Sequence, residues 1–385
     1  MKIALLGCGV VGSGVKEILD AKENRYTSAL EIKTILVKSL DEIDDPRRTA
    51  DFNDIISDPE IELVAEMMGG LEPAHSFVKA ALEAGKHVVT SNKKMLANFY
   101  PELVQIASEK GVCLAYEASV GGGIPWIANL ERTGRAEAIE SFSGIMNGTT
   151  NYILSRMNAE GKDFDELLSE AQKLGYAEAD PTDDIDGYDV RYKCCISAMK
   201  AFGIYVKPEE IPALGIRNIK KEDMEYCRKN GLVCKLIGQG RIVKKADGSE
   251  GIDISVAPSF IPENDMLAHV GLNFNAVQSC SKNLGAATFV GQGAGSLPTA
   301  HAVVQDMIDI LKGEESGAAA PRVMSPEQDS LHSFYIRPSK ITAFGALITR
   351  TIGSGAFIAK DISYPKLMEI LETANDKNVF IAEIL

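Results

Sequence analysis

Basic residues are in short supply. Forty lysines and arginines stand against 54 aspartates and glutamates, giving the 385-residue chain a formal net charge of -14. A surface of that sign repels phosphate backbones and anionic headgroups, so neither a nucleic-acid nor a membrane partner is expected. No apolar run reaches the length of a membrane span. The opening MKIALLGC has too short an apolar stretch, and no proper charged region ahead of it, for a lipoprotein signal. Cysteine is sparse and unpatterned: Cys8, Cys113, Cys194, Cys195, Cys227, Cys234 and Cys280 are odd in number and form neither a CxxC nor a Cys/His metal spacing. That argues against a disulfide framework or a zinc site, and for buried thiols in a reducing, cytoplasmic setting. Cys113 falls on the inner side of a strand pattern and reads as small apolar filler rather than a nucleophile. His75, His87, His301 and His332 belong to no constellation and read as structural.

Length, glycine and alternation are what the chain does have. At 385 residues it exceeds a single comfortable core, so two domains are expected. Lys2–Leu6 is a short apolar run, GCGVVG follows at 7–12, and SGVKEILDAK has helical periodicity. Strands over 31–37, 62–68, 86–90 and 112–118 then alternate with helical stretches, which implies a doubly wound parallel sheet. From about Ile139 the texture becomes α+β: a strand, helices over TTNYILSRM, DFDELLSEAQKLG and DVRYKCCISAMKAFG, and a hairpin through 241–261 with Asp247-Gly248 at its turn. One more helix spans 294–313.

Gly7, Gly9 and Gly12 directly follow a strand and open a helix, the context that turns a GxGxxG match into a dinucleotide site. Missing side chains let a pyrophosphate approach free N–H groups at the helix N-terminus, with Val10 and Val11 in the same turn. The second strand ends at Val37-Lys38-Ser39, with Arg47 and Arg48 beyond, where NAD enzymes usually carry an acid. A lysine pairs with a 2′-phosphate, so NADP is favoured; Asp41 or Glu42 could still reach the ribose and permit NAD.

Ligands of parallel sheets gather at the carboxyl ends of strands. Those ends carry Gly69-Gly70, Thr90-Ser91-Asn92-Lys93-Lys94, Glu117 ahead of a triple glycine, and Asn147-Gly148-Thr149-Thr150. The acidic run GYAEADPTDDIDGYDVRYK (175–193) ends with Asp189 and Lys193 four apart, on one helix face. The helix dipole disfavours the lysine's charge and neighbouring carboxylates favour it, which is how a proton donor is tuned.

These residues resemble homoserine dehydrogenase over about 1–313. The likeness is carried by GCGVVGSGV (7–15), TSNKKMLA (90–97), YEASVGGGIP (116–125), GIMNGTTNYIL (144–154), AQKLGYAEADPTDDIDGYDVRYK (171–193) and GQGAGSLPTAHAVVQDM (291–307). The resemblance implies NAD(P)-dependent interconversion of aspartate 4-semialdehyde and L-homoserine, with Lys193 as acid/base. It places Lys93, rather than Lys94, on substrate and nicotinamide. Glu178, Asp184, Asp189 and Thr149 fall on the substrate, and Gly69, Thr90, Ser91 and Gly293 join the cofactor residues. It also implies a monovalent cation, Na+ or K+, held at Glu117, Val120, Gly122 and Ile124 mostly by backbone carbonyls, and a homodimer formed through the second domain's sheet, or a higher homo-oligomer.

The expected organisation is a Rossmann-type dinucleotide domain over 1–130 with 293–313 returning to it, and a substrate and dimerisation domain over 131–292. A linker follows over 314–330, then a truncated ACT-like module over 331–385, where LHSFYIR resembles a first strand and 366–385 a closing helix and strand. At 55 residues, without Pro-Gly after its first strand, that module departs from the effector-sensing domain of long family members. The rival readings are a non-catalytic NADP-binding regulator of the same fold, and a dehydrogenase of another small amino or hydroxy acid.

Overall fold

The computed structural model describes the chain apart from residues 246, 315–319, 340 and 354 and the side chains of 342, 343 and 346, so part of the linker expected over 314–330 lies outside the described residues. In chain order the strands are β1 (Lys2–Leu6), β2 (Glu31–Leu36), β3 (Arg48–Thr49), β4 (Ile61–Glu66), β5 (His87–Thr90), β6 (Leu114–Ala115), β7 (Ile139–Ile145), β8 (Ile204–Tyr205) and β9 (Leu232–Lys244). They continue as β10 (Glu250–Pro262), β11 (Phe274–Ser281), β12 (Gly285–Gln292), β13 (Arg322–Val323), β14 (His332–Arg337), β15 (Arg350–Ile352), β16 (Ala356–Ile362) and β17 (Phe380–Ile384). The chain is α/β and divides into two compact units.

The first unit comprises Met1–Glu137, Cys195–Tyr205 and Gly291–Val323. Its parallel sheet runs β3-β2-β1-β4-β5-β6, and the order reverses at β1, the position at which doubly wound sheets open a ligand crevice. Ile3, Leu5, Leu63 and Val89 from the sheet pack with Val15 and Leu19 of the helix Val10–Ala21 and with Val303 and Met307 of the helix Ser296–Lys312. Each large side chain removed from water in this way contributes about 1.5–3 kcal/mol. Gly14 lets the two helices touch: a Cβ there would lie 2.9 Å from the Ala300 Cβ and from the Ser296 Oγ.

The helix Lys93–Lys110 starts earlier than its apolar pattern suggests because Asn92 caps it, accepting the Met95 N–H at 3.1 Å. It also runs through Pro101. Proline leaves the Ala97 carbonyl without its helical donor, and the Cys195 thiol donates there instead at 3.8 Å. The strand expected over 112–118 is only two residues long, since Glu117–Ser119 turn into a 3-10 helix with the Glu117 N–H donating to Asp306.

The second unit comprises Ala138–Cys194, Val206–Val290 and Met324–Leu385. Its sheet is mixed and ordered β12-β11-β7-β9-β10-β17-β14-β16-β15, so the strands of the C-terminal segment extend the same sheet. β17 pairs parallel to β10 through Ser259↔Glu383 and Phe260↔Ile384, and antiparallel to β14. The helix beginning at Tyr188 lies directly on β9 because Gly238 has no side chain. A Cβ there would lie 2.5 Å from the Cys194 Sγ and 2.6 Å from a Val190 methyl.

Two buried polar clusters lock β14 in place. Asp223 accepts from the Arg337 guanidinium at 2.7 and 2.9 Å and from the Tyr335 hydroxyl at 2.9 Å. On the other side His332 Nδ1 lies 2.7 Å from Glu383, whose second oxygen accepts from Tyr364 and Gln239, each at 2.9 Å. His332 Nε2 faces Asp253 at 3.5 Å, an ion-pair contact rather than a hydrogen bond. Burial disfavours the charged imidazole, but the two carboxylates outweigh it and push His332 up to about 9. A group raised on folding stabilises fully below its ordinary value near 6.5, and that contribution is lost as pH rises through about 9. Urea denaturation across that window should therefore show stability falling by about 2–3 kcal/mol, and His332→Gln should flatten the slope. An equally steep slope in the variant would remove His332 as its source.

Candidate active site

In the first unit the glycine turn is built as a cradle. Gly7 adopts φ +94°, and Gly12 lies so close beneath it that a Cβ would stand 2.2 Å from the Gly7 carbonyl oxygen. Nothing lies within 4 Å of where a Gly9 or Gly69 Cβ would point, so the space above both is open. Gly9 makes no side-chain cap for the helix Val10–Ala21, which leaves N–H groups for an anionic ligand. Val10, 71% exposed, faces outward from this turn, and Val11 is half-buried beside it.

Beyond β2, Lys38 is exposed and makes no ion pair among the described residues. Arg47 is committed elsewhere: it grips Asp20 at 2.7 and 2.8 Å and Asp45 at 2.9 and 2.7 Å, which holds the Asp45 carboxyl far below its usual range. Of the basic residues proposed near the ribose, Lys38 is thus the one presented to solvent.

At the carboxyl ends of β4 and β5 sits a residue that sequence reading passed over. Glu66 is fully buried and takes the Thr90 hydroxyl at 2.6 Å, the Met68 N–H at 2.8 Å and the Asn92 amide at 3.4 Å. Asn92 also donates to the Gly70 carbonyl at 2.8 Å, so one network joins the Gly69-Gly70 turn, Thr90, Ser91 and the first residue of the next helix, Lys93. The Thr90 hydroxyl is spent on Glu66, leaving only its backbone for a ligand. A glutamate ending an alternating strand looks merely polar in sequence. Its place at the carboxyl end of a strand, just ahead of the Gly69-Gly70 turn, was the available signal.

The loop expected to hold a cation uses Glu117 differently from a metal ligand. Its carboxylate accepts the N–H groups of Ile127 and Ala128 at 2.9 and 2.7 Å and so caps the helix Trp126–Gly134. Burial pushes it up to about 7 against those hydrogen bonds. What the loop can offer is backbone carbonyl oxygen from Glu117, Val120, Gly122 and Ile124. Such hard ligands suit Na+ or K+, and a carbonyl with one N–H partner keeps a second lone pair. Gly122, at φ +59°, abuts Gly293, whose carbonyl oxygen would lie 2.7 Å from a Cβ at that position. Among the described residues no cluster of three His, Cys, Asp or Glu side chains could hold a metal.

In the second unit Lys193 is 7% exposed, and its Nζ donates to Asp189 Oδ2 at 2.7 Å and to the Met146 carbonyl. Asn147 completes the arrangement. Its oxygen caps the helix Gly148–Glu160 through Thr150 N–H at 2.9 Å, while its amide donates to Asp184 at 2.7 Å and Asp189 at 3.0 Å. Four residues from two motifs thus converge: Asn147, Asp184, Asp189 and Lys193. The Thr149 hydroxyl instead donates to the Tyr176 carbonyl, anchoring the segment on which Glu178 sits exposed. Asn147 was legible only as part of a strand end. Its signal is an asparagine at a strand end in cap position for the helix that follows.

A parallel sheet with a glycine turn at its first crossover and an open helix N-terminus defines a dinucleotide-binding protein. Sequence comparison gives the family. Residues 7–117 match the homoserine dehydrogenase NAD-binding domain and residues 125–308 the homoserine dehydrogenase domain proper. The homoserine dehydrogenase of Synechocystis sp. is 42% identical over 88% of this chain and 82% of its own length, and that of Bacillus subtilis 35% identical over 100% and 90%. The crystal structure of a homoserine dehydrogenase from Thiobacillus denitrificans superposes with a TM-score of 0.86 at 32% identity, covering 100% of this chain and 98% of its own. A hyperthermophilic archaeal homoserine dehydrogenase in complex with NADPH does so at 0.70 and 28%, covering 83% and 99%. The chain belongs to the homoserine dehydrogenase family. No helix among the described residues is long and apolar enough to cross a membrane.

Asn147→Asp separates the two tasks of that residue, because aspartate caps a helix as well as asparagine but cannot donate between two carboxylates. Helical content should be retained while turnover, followed at 340 nm, drops roughly tenfold or more. Unchanged turnover would reduce Asn147 to a cap.

Proposed function

We propose that this chain interconverts L-aspartate 4-semialdehyde and L-homoserine, a step toward threonine and methionine, with NADP favoured and NAD as an alternative. The observation that carries this reading is the buried Lys193–Asp189 pair, with Asn147 tying Asp189 to Asp184, in a chain of this family. The bound cofactor supplies a hydride. As the aldehyde carbon is reduced, negative charge grows on its oxygen, and a positioned ammonium lowers that barrier by stabilising the charge and giving up a proton. Lys193 is assigned this role, held and aimed by Asp189. In the reverse direction its neutral amine takes the hydroxyl proton of homoserine.

Asp184, Asp189 and Glu178 are assigned to the substrate's ammonium end, and Lys93 to the substrate and nicotinamide. Thr149 acts through Tyr176 by shaping the segment that carries Glu178. Gly7, Gly9, Val10, Val11, Gly12, Gly69, Ser91, Gly293 and the backbone of Thr90 are assigned to the cofactor. Lys38 is assigned to a 2′-phosphate, supported by its exposure and by the archaeal relative's NADPH complex. A monovalent cation, Na+ or K+, on the Glu117, Val120, Gly122 and Ile124 carbonyls would fix that loop. In this reading residues 1–130 with 293–313 bind the cofactor, and 131–292 bind substrate and form a homodimer through their sheet. The short ACT-like segment 331–385 serves association, and the seven thiols suit a cytoplasmic setting.

Lys193→Ala should lower kcat by roughly 10²–10⁴-fold while leaving NADP affinity within about twofold. Equal loss of both would refute proton transfer by Lys193. Lys38→Asp should move the ratio of kcat/KM with NADP to that with NAD by roughly tenfold toward NAD, and an unmoved ratio would take Lys38 out of the phosphate site.

A further inference from the structure

Glu66 poses a problem that the hydride-transfer reading does not use. It is a carboxylate with no exposed surface, at the carboxyl end of β4 in the dinucleotide-binding sheet. Four groups face it: the Thr90 hydroxyl from β5, the Asn92 amide from the turn that follows, and the N–H groups of Met68 and Gly69 just beyond its own strand. All four are donors, and none is titratable. Among the described residues no lysine, arginine or histidine pairs with it.

Two physical consequences follow. A ring of donors without an acceptor specifies the ionised form, since a carboxyl proton would find no partner among them other than the Thr90 hydroxyl turning round. A buried anion without a counter-ion costs several kcal/mol relative to water, even when hydrogen-bonded. Burial accordingly raises the proton affinity of Glu66, and the four donors oppose it. Such a charge is most stable when a cation arrives from outside the protein. The carboxyl edge of β4 and β5 is where a dinucleotide lies in sheets of this kind, and of the two cofactor states only the oxidised one bears a positive charge on its nicotinamide ring.

We propose that the buried Glu66 carboxylate is the counter-charge of the oxidised nicotinamide, so that this site favours oxidised over reduced cofactor by electrostatics rather than by shape. The inference rests on the cofactor reading above. Hydrogen bonds from Thr90, Asn92 and the two amides fix the carboxylate beneath the edge without neutralising it. The fully desolvated surroundings let its field reach farther than a surface charge would.

The test is a pair of dissociation constants, for NADP+ and for NADPH, measured by equilibrium titration without substrate. Glu66→Gln keeps the size and one acceptor oxygen but removes the charge. Thr90→Val keeps the charge and removes a hydrogen bond. For Glu66→Gln the ratio Kd(NADP+)/Kd(NADPH) should rise roughly three- to tenfold over wild type, while Thr90→Val should move both constants together and leave the ratio alone. A wild-type ratio in Glu66→Gln, or the same change in both variants, would reduce Glu66 to a scaffold residue and overturn the proposal. If Glu66→Gln does not fold, the wild type supplies the reading. Its ratio should rise on the acid side, because protonation removes the same charge, whereas the 2′-phosphate titrates in both cofactor forms and cancels. A ratio that stays flat down to the pH at which the protein unfolds overturns the proposal. Failure of the wild type to bind either form would instead defeat the cofactor reading itself.

Discussion

A charge taken out of water must be held by something, and most of what is specific in this molecule follows from that constraint. Lys193 is the clearest case. Its ammonium is nearly inaccessible, so the cost of desolvation is offset by Asp189 and the Met146 carbonyl. Asp189 in turn would be over-exposed to one cation were it not also held by Asn147, which ties it to Asp184. The result is a lysine whose position is set by four groups on a strand end and two helices. Because Gly238 admits the helix onto β9 at side-chain-free distance, the lysine's backbone is as firmly placed as its head.

The same constraint is met differently at the carboxyl edge of the parallel sheet. Among the described residues Glu66 has donors but no cation, and Glu117 spends both oxygens on a helix end. Both are raised by burial, yet they differ in what they organise. Glu117 fixes where a helix begins. Glu66 fixes the relation between the Gly69-Gly70 turn and the start of the Lys93 helix, and keeps its charge unspent. His332 is a third solution, in which two carboxylates draw a proton onto an imidazole and bind β14 to β10 and β17.

What could be read from sequence was what the backbone demands locally. Gly7 and Gly12 were legible because a positive φ and a 2.2 Å approach admit no side chain, whatever the rest of the chain does, and Gly9 because it lies in the same turn. Asp189 and Lys193 were legible because four residues on a helix share a face. Strand positions were legible from alternation, and went wrong at 112–118, where the Glu117 N–H finds Asp306, a partner far away in the chain. Glu66 was missed, and Asn147 was seen only as part of a strand end, for the same reason. Their roles lie in which distant groups they join, and one polar residue at a strand end looks like another until the partners are in view.

The C-terminal segment illustrates the limit most sharply. Its strand and helix pattern is local, but the choice of β10 as the partner for β17 is not, since it unites residues more than a hundred positions apart. Register in such a pairing is fixed by which face is buried, and here that face also carries buried ionic groups. Asp253, His332 and Glu383 would each be costly alone in this position. Together they favour the alignment in which the imidazole contacts both carboxylates, because a slip of one residue would turn Glu383 to the opposite face. Polar groups buried in a sheet are usually counted against stability. In this sheet they exclude the competing registers, so the segment that lengthens the sheet also carries the means of placing itself.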